Sequence, residues 1–193
     1  MKSFDREIRE YESINDKQVR DKEVAVRSLD EMEDVLSREN PWIHGTSCAF
    51  VLNEDRTKIL MLYHNVYDAW SMSGGHMDGD IFPLEVALKE LEEETGLVEL
   101  VEVYDQPVSL DLIAVQGHWK KGDYVNAHIH LNLTYLVIGK ESASIRPKLD
   151  ENSGVDWVPV EALEIKCTEP HMLVIYRSIL ERVGIMRNIE GGN

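Results

Sequence analysis

The stretch GGHMDGDIFPLEVALKELEEETG, residues 74–96, decides how this chain folds. Its second half has the marks of one helix. Pro83 suits a first turn, where its missing N–H costs nothing, and Gly96 suits the left-handed stop after the last turn. Leu84, Ala87, Leu88 and Leu91 recur at helical spacing and form an apolar stripe. Positions three and four apart share a helix face, so Glu90, Glu93 and Glu94 project to one side while Glu92 points elsewhere. Like charges so placed repel by a few tenths of a kcal/mol per pair. Either a solvated face tolerates them or a bound cation requires them. Gly74-Gly75, entering from a short extended run, lets the backbone approach a ligand and adds a carbonyl oxygen, which favours the cation.

Outward from this helix the chain reads as strands. TSCAFVLN and KILMLYH are two short apolar runs joined by the polar EDRT, the pattern of a hairpin. Further strands are expected at VSLDLIAV, AHIHLNLTYLVIG and GVDWVPV, and a final helix from about Pro170 to Arg182. Strands, one central helix, more strands and a last helix imply a mixed sheet flanked by helices, an α/β layered domain. Before it, Val19, Val26, Leu29, Met32 and Leu36 suggest an amphipathic helix from Asp16 that ends at Asn40-Pro41. Residues 1–41 are therefore expected to be a helical extension that covers the main domain or serves a homodimer, and residues 42–193 the domain itself.

The glycine loop and helix resemble the signature of the Nudix hydrolase family, Gly-x5-Glu-x7-Arg-Glu-U-x-Glu-Glu-x-Gly-U with U aliphatic. Gly75 and then Lys89-Glu90-Leu91-Glu92-Glu93-Glu94-Thr95-Gly96-Leu97 fall on it with the spacing intact. The resemblance implies an αβα sandwich, dependence on Mg²⁺ or Mn²⁺, and hydrolysis of a pyrophosphate linkage in a nucleoside diphosphate derivative or related small molecule. By position, Glu90, Glu93 and Glu94 become metal ligands assisted by the carbonyl of Gly74, and Lys89 takes the place of the signature arginine. The general base is either Glu90 or Glu151, the latter in the late loop KLDENSG. Three positions depart from the pattern: Ile81 stands at the first glutamate, Lys89 at the arginine, and Ser73 at the usual proline before the glycines. Lysine keeps the charge without the planar fork. Ile81 removes a carboxylate, so a Nudix-fold binding or regulatory module with weakened turnover is the alternative.

Composition narrows the partners. Thirty-six acids against 20 bases give a formal charge of −16, which disfavours polymeric nucleic acid and anionic membrane surfaces, both held through Lys and Arg. A small anionic substrate is repelled too unless a metal intervenes. Two cysteines are too few for a disulfide framework, no apolar run approaches the roughly 18 residues of a membrane span, and the N-terminus lacks a signal-peptide core, so a cytoplasmic setting is expected.

Other side chains carry weaker signals. His128 and His130 alternate on a strand and share a face, a pairing read as structural or substrate-contacting rather than metal-binding, since no Cys or acidic neighbour accompanies it. Lys120-Lys121, with Trp119 and Tyr124, are expected in an exposed loop. Trp42, Tyr63, Tyr67 and Trp70 are expected in the core, as is Cys48.

Overall fold

The computed structural model describes residues 2–66, 68–120 and 122–185. Tyr67 and Lys121 lie outside the described residues. The chain runs through α1 (Phe4–Glu10), α2 (Asp16–Glu31), β1 (Ile43–Asn53), β2 (Lys58–His64), β3 (Ala69–Ser71), β4 (Ser73–His76) and α3 (Pro83–Thr95). It continues through β5 (Leu100–Val115), β6 (His118–Lys120), β7 (Asp123–Val125), β8 (His128–Gly139), β9 (Asn152–Pro159), α4 (Leu163–Lys166) and α5 (Pro170–Arg182).

The main sheet has seven strands in the order β3-β2-β1-β8-β5, with β4 also on β1 and β9 on β2. β1 and β8 run parallel, and the remaining pairs are antiparallel, so the sheet is mixed as expected. Both central strands are apolar without strict alternation because both of their faces are covered. Successive side chains on β1 part to opposite faces. Ala49 and Val51 join Phe4, Ile8, Val86, Ala87 and Leu91 beneath α1, α2 and α3, whereas Phe50 and Leu52 join Ile175, Tyr176, Ile179 and Leu180 of α5. This is an αβα sandwich. β1 gives its N-terminal half to β4 (Thr46↔His76 to Ala49↔Ser73) and its C-terminal end to β2 (Leu52↔Ile59). That division places the glycine loop beside the sheet centre instead of at its edge.

The N-terminal segment differs from expectation. α1 precedes the helix expected from Asp16. Phe4 and Ile8, four apart and both fully buried, are its anchor, and two apolar residues among charges leave no periodic signal in seven positions. α2 begins at Asp16, capped by the Asn15 side chain accepting from the Gln18 amide at 2.9 Å, but it stops at Glu31, well before Asn40. Beyond it the chain turns, with Asp34 at φ 56°, and Gly45 N–H donates to the Val35 carbonyl at 2.7 Å, drawing Leu36 against the core. Tertiary burial of Val35 and Leu36 thus overrides helix continuation, and Val19 and Met32, expected on the buried stripe, are exposed. Trp42 is also a correction: at 71% exposed it lies outside the core, ahead of the first buried residue of β1. Tyr63 and Trp70 are half-buried and meet edge to face. Lys120 belongs to a two-stranded hairpin, β6–β7, rather than to a loop, and Trp119 and Tyr124 are exposed on it.

Candidate active site

α3 is built as its sequence directs. Pro83 opens it, Gly96 closes it at φ 69° with its N–H donating to the Glu92 carbonyl, and Val86, Ala87 and Leu91 fix its apolar face to the sheet. That docking aims Glu90 and Glu94 at β4. Glu94 is buried (4% exposed); its carboxylate accepts the Gly74 amide at 3.0 Å and the Asn152 side-chain amide at 3.4 Å. Burial pushes its pKa up to about 7, although both donated hydrogen bonds pull the other way.

The glycines are demanded by contact. A Cβ on Gly75 would stand 2.5 Å from Glu90 Cδ, and one on Gly74 would stand 2.3 Å from Cys48 Sγ and 2.7 Å from the Ser47 carbonyl oxygen. Glu90 is half-buried against this backbone, and burial first, then the charge of Glu93, raise its pKa. Glu93 is more open, with Lys89 Nζ at 3.8 Å and Lys148 Nζ at 3.9 Å. Lys148 also reaches Glu151 at 3.0 Å, so the late loop lies against the helix and Glu151 joins the carboxylate cluster. Glu92 is exposed. Ile81 offers no ligand: its side chain is 48% exposed and its carbonyl accepts the Phe4 amide at 2.8 Å. Ser73 is buried with its hydroxyl unpartnered, where the signature has proline. Cys48 is half-buried, donates to Asn132 Oδ1 at 3.1 Å, and has its pKa raised by burial.

Three contributors were not legible beforehand. Lys148 and Asn152 flank the cluster from the late loop and β9, and Arg38 bonds Asp78 while feeling the charges of Glu90 and Glu151. None sits at a telling spacing from the signature. His128 and His130 share a face as expected from their strand, and there they converge with His44 and His76, each His44 ring contact lying between 4.7 and 5.2 Å.

Residues 42–179 match the family model for the NUDIX domain. The chain belongs to the Nudix family and is by class a Nudix-type hydrolase. Similar solved structures carry the same fold at low identity. A Caenorhabditis elegans Ap4A hydrolase in a binary complex has a TM-score of 0.54 and 13% identity, over 72% of this chain and 96% of that one. The NUDIX domain of Shewanella oneidensis NrtR, cocrystallised with ADP ribose, has a TM-score of 0.54 and 16% identity, over 81% and 97%. A NUDIX-family hydrolase from Clostridium perfringens has a TM-score of 0.51 and 20% identity, over 72% and 97%. Among individually curated proteins, none matches this sequence significantly.

Proposed function

We propose that this protein is a divalent-metal-dependent hydrolase that cleaves a pyrophosphate linkage in a small nucleoside diphosphate derivative. One observation carries the reading: Glu90 and Glu94 of the signature meet the glycine loop, Glu93 and Glu151 stand beside them against Lys148, and acids outnumber bases there. Among the described residues, the cations near Glu90, Glu93 and Glu151 are Lys89, Lys148 and Arg38, and Arg38 is already engaged by Asp78. Burial raises the pKa values of Glu90 and Glu94, and the neighbouring carboxylates add to it. Such an oxygen donor set fits a hard cation, Mg²⁺ or Mn²⁺, held by Glu90, Glu93 and Glu94 with the Gly74 carbonyl.

When bound, the cation neutralises phosphate charge and lowers the pKa of water at the site. The chain supplies the rest. Glu94, hydrogen-bonded to Gly74 and Asn152, fixes the helix to the loop; Lys89 and Lys148 keep the Glu93 carboxylate in place. Glu90 is the favoured base, because its carboxylate lies half-buried against the glycine loop, beside the place of the cation and its water. Glu151, tethered by Lys148, is the second candidate. The likeness to an Ap4A hydrolase and an ADP-ribose-binding domain supports nucleotide pyrophosphates as the first substrates to try.

The test is phosphate or pyrophosphate release from a panel of such compounds with Mg²⁺ or Mn²⁺. Turnover is expected, and Glu93→Gln should lower it by at least about 100-fold, the scale of losing one charge-stabilising group. Unchanged turnover in Glu93→Gln would overturn the metal assignment. Binding without turnover across the panel would favour the regulatory module that Ile81 makes conceivable.

A further inference from the structure

We infer that His44, His76 and His130 form a second metal site, distinct from the carboxylate cluster, that takes a late first-row divalent ion such as Zn²⁺, Co²⁺ or Ni²⁺. The strands bring the three together from distant parts of the chain. His44 on β1 is the register partner of His130 on parallel β8, and His76 on β4 pairs with Thr46, two residues along β1 on the same face. One ligand nitrogen from each of the three histidines lies within 4.8 Å of the other two, close enough for modest ring rotations to bring all three to the roughly 2.0–2.1 Å of a Zn–N bond.

The state of the rings points to a cation. His44 is 5% exposed, and its Nδ1 lies 3.1 Å from the Asn40 carbonyl oxygen, an acceptor. Nδ1 therefore holds the proton, and Nε2 carries a lone pair. That Nε2 is buried with no hydrogen-bond partner, a cost that a metal ion at the centre of the cluster removes. Asn40 is itself held rigid: its side chain accepts from the Trp42 and Ile43 amides, both at 3.1 Å, and donates to the Glu33 carbonyl at 2.9 Å. A carbonyl fixing the far nitrogen of an imidazole is the usual support of a metal-bound histidine. His128 follows the same rule, with Nδ1 at 2.8 Å from the Asn126 carbonyl oxygen and Nε2 at 3.1 Å from His130 Nε2. It stacks on His44 beside the three ligands.

Donor chemistry separates this site from the first. Three imidazoles without a carboxylate among them select Zn²⁺, Co²⁺, Ni²⁺ or Cu²⁺, whereas Mg²⁺ requires oxygens. Along β4 the side-chain direction alternates, so Gly75 faces Glu90 and the next residue, His76, faces the other way. Between the two sites stands the Arg38–Asp78 pair, whose carboxylate feels His76 and His44 and whose guanidinium feels Glu90 and Glu151.

The experiment uses the untagged full-length chain, freed of metal and titrated with Co²⁺ in excess Mg²⁺. Expected is one tightly bound Co²⁺ with the visible absorption of a nitrogen-ligated, four- or five-coordinate ion, displaced by Zn²⁺. His76→Ala and His130→Gln should each weaken it by more than the roughly 10–100-fold typical of outer-sphere changes. Far-UV circular dichroism and the Tm in EDTA establish that each variant folds. For the unaltered chain, Zn²⁺ should also raise the Tm in the presence of Mg²⁺, since an ion bound only by the folded state stabilises it by mass action. Glu93→Gln should leave the Co²⁺ spectrum intact, which separates this site from the carboxylate site whatever the outcome there. Loss of the signal in Glu93→Gln, its survival in both folded histidine variants, or absence of a tight Co²⁺ would overturn the inference.

Discussion

Glu94 is a carboxyl placed where an unmet charge is expensive. Its pKa of about 7 in the folded protein lies above the 4.5 of an ordinary glutamate, so the folded state binds its proton more tightly than the unfolded chain does. The contribution to stability is fully present below pH 4.5 and is lost as pH rises towards 7, a change of about 3 kcal/mol at 1.36 kcal/mol per unit. Glu94→Gln removes that dependence. Its amide oxygen can keep the Gly74 bond, and its nitrogen can donate to Asn152 Oδ1, which is buried without a partner. In EDTA, urea denaturation should show the variant gaining a few kcal/mol on the parent between pH 4.5 and 7.5. Parallel curves would place the proton elsewhere. The two glycines make a matched contrast. A Cβ on Gly75 meets the movable end of Glu90, so Gly75→Ala should change stability by less than about 1 kcal/mol while displacing Glu90 and lowering turnover about 100-fold, as a misplacement of roughly 1 Å can. On Gly74 the added carbon meets β1 backbone, and Gly74→Ala should lower the Tm as well as the rate.

At the scale of elements, α2 is locked to β5 by charge. Lys17 Nζ donates to Asp111 Oδ1 at 2.7 Å and to Asp21 Oδ2 at 2.6 Å, and Asp111 is 1% exposed. Ser109 Oγ donates to the other Asp111 oxygen at 2.6 Å, and Gln18 donates to Ser109 Oγ at 3.2 Å. Lys17→Met strands a buried carboxylate and should cost about 3 kcal/mol by chemical denaturation. Lys17→Met combined with Asp111→Leu should recover much of that, and failure to recover would mean the helix depends on other contacts. This lock was invisible in the sequence, where Lys17 and Asp111 are two charged residues far apart. Legible were the features with a local cause: α3, whose start, stripe and stop are all residues with fixed conformational preferences, and the doubly buried β1 and β8. The carboxylate cluster was legible because helical periodicity alone brings Glu90, Glu93 and Glu94 together. The four histidines depend on strand pairing between distant segments, Arg38, Asp78 and Lys148 on turns and loops that the fold brings together, and α1 on two buried side chains that only the finished core makes apolar neighbours.

At the scale of the molecule, the family match begins at residue 42, yet the core does not. Phe4, Ile8, Tyr11 and Ala25 are each at most 4% exposed and share one cluster with Leu110, Leu131, Leu133 and Tyr135 of the sheet. Tyr11 donates to Gln18 Oε1 at 2.9 Å, Asn15 reaches Ser178 on α5 at 3.0 Å, and the Phe4 amide bonds the Ile81 carbonyl just before α3. Removing residues 1–41 would uncover one face of β5 and β8, leave Asp111 without Lys17, and release the loop that presents the carboxylate helix. With a formal charge of −16, the whole chain has self-repulsion to overcome and limited reserve for such a loss. A fragment of residues 42–193 should therefore express as insoluble protein or melt without a cooperative transition, while the full chain gives a single sharp one. A soluble fragment with the Tm of the full chain would show that the sheet closes its own core and that α1 and α2 merely rest on it.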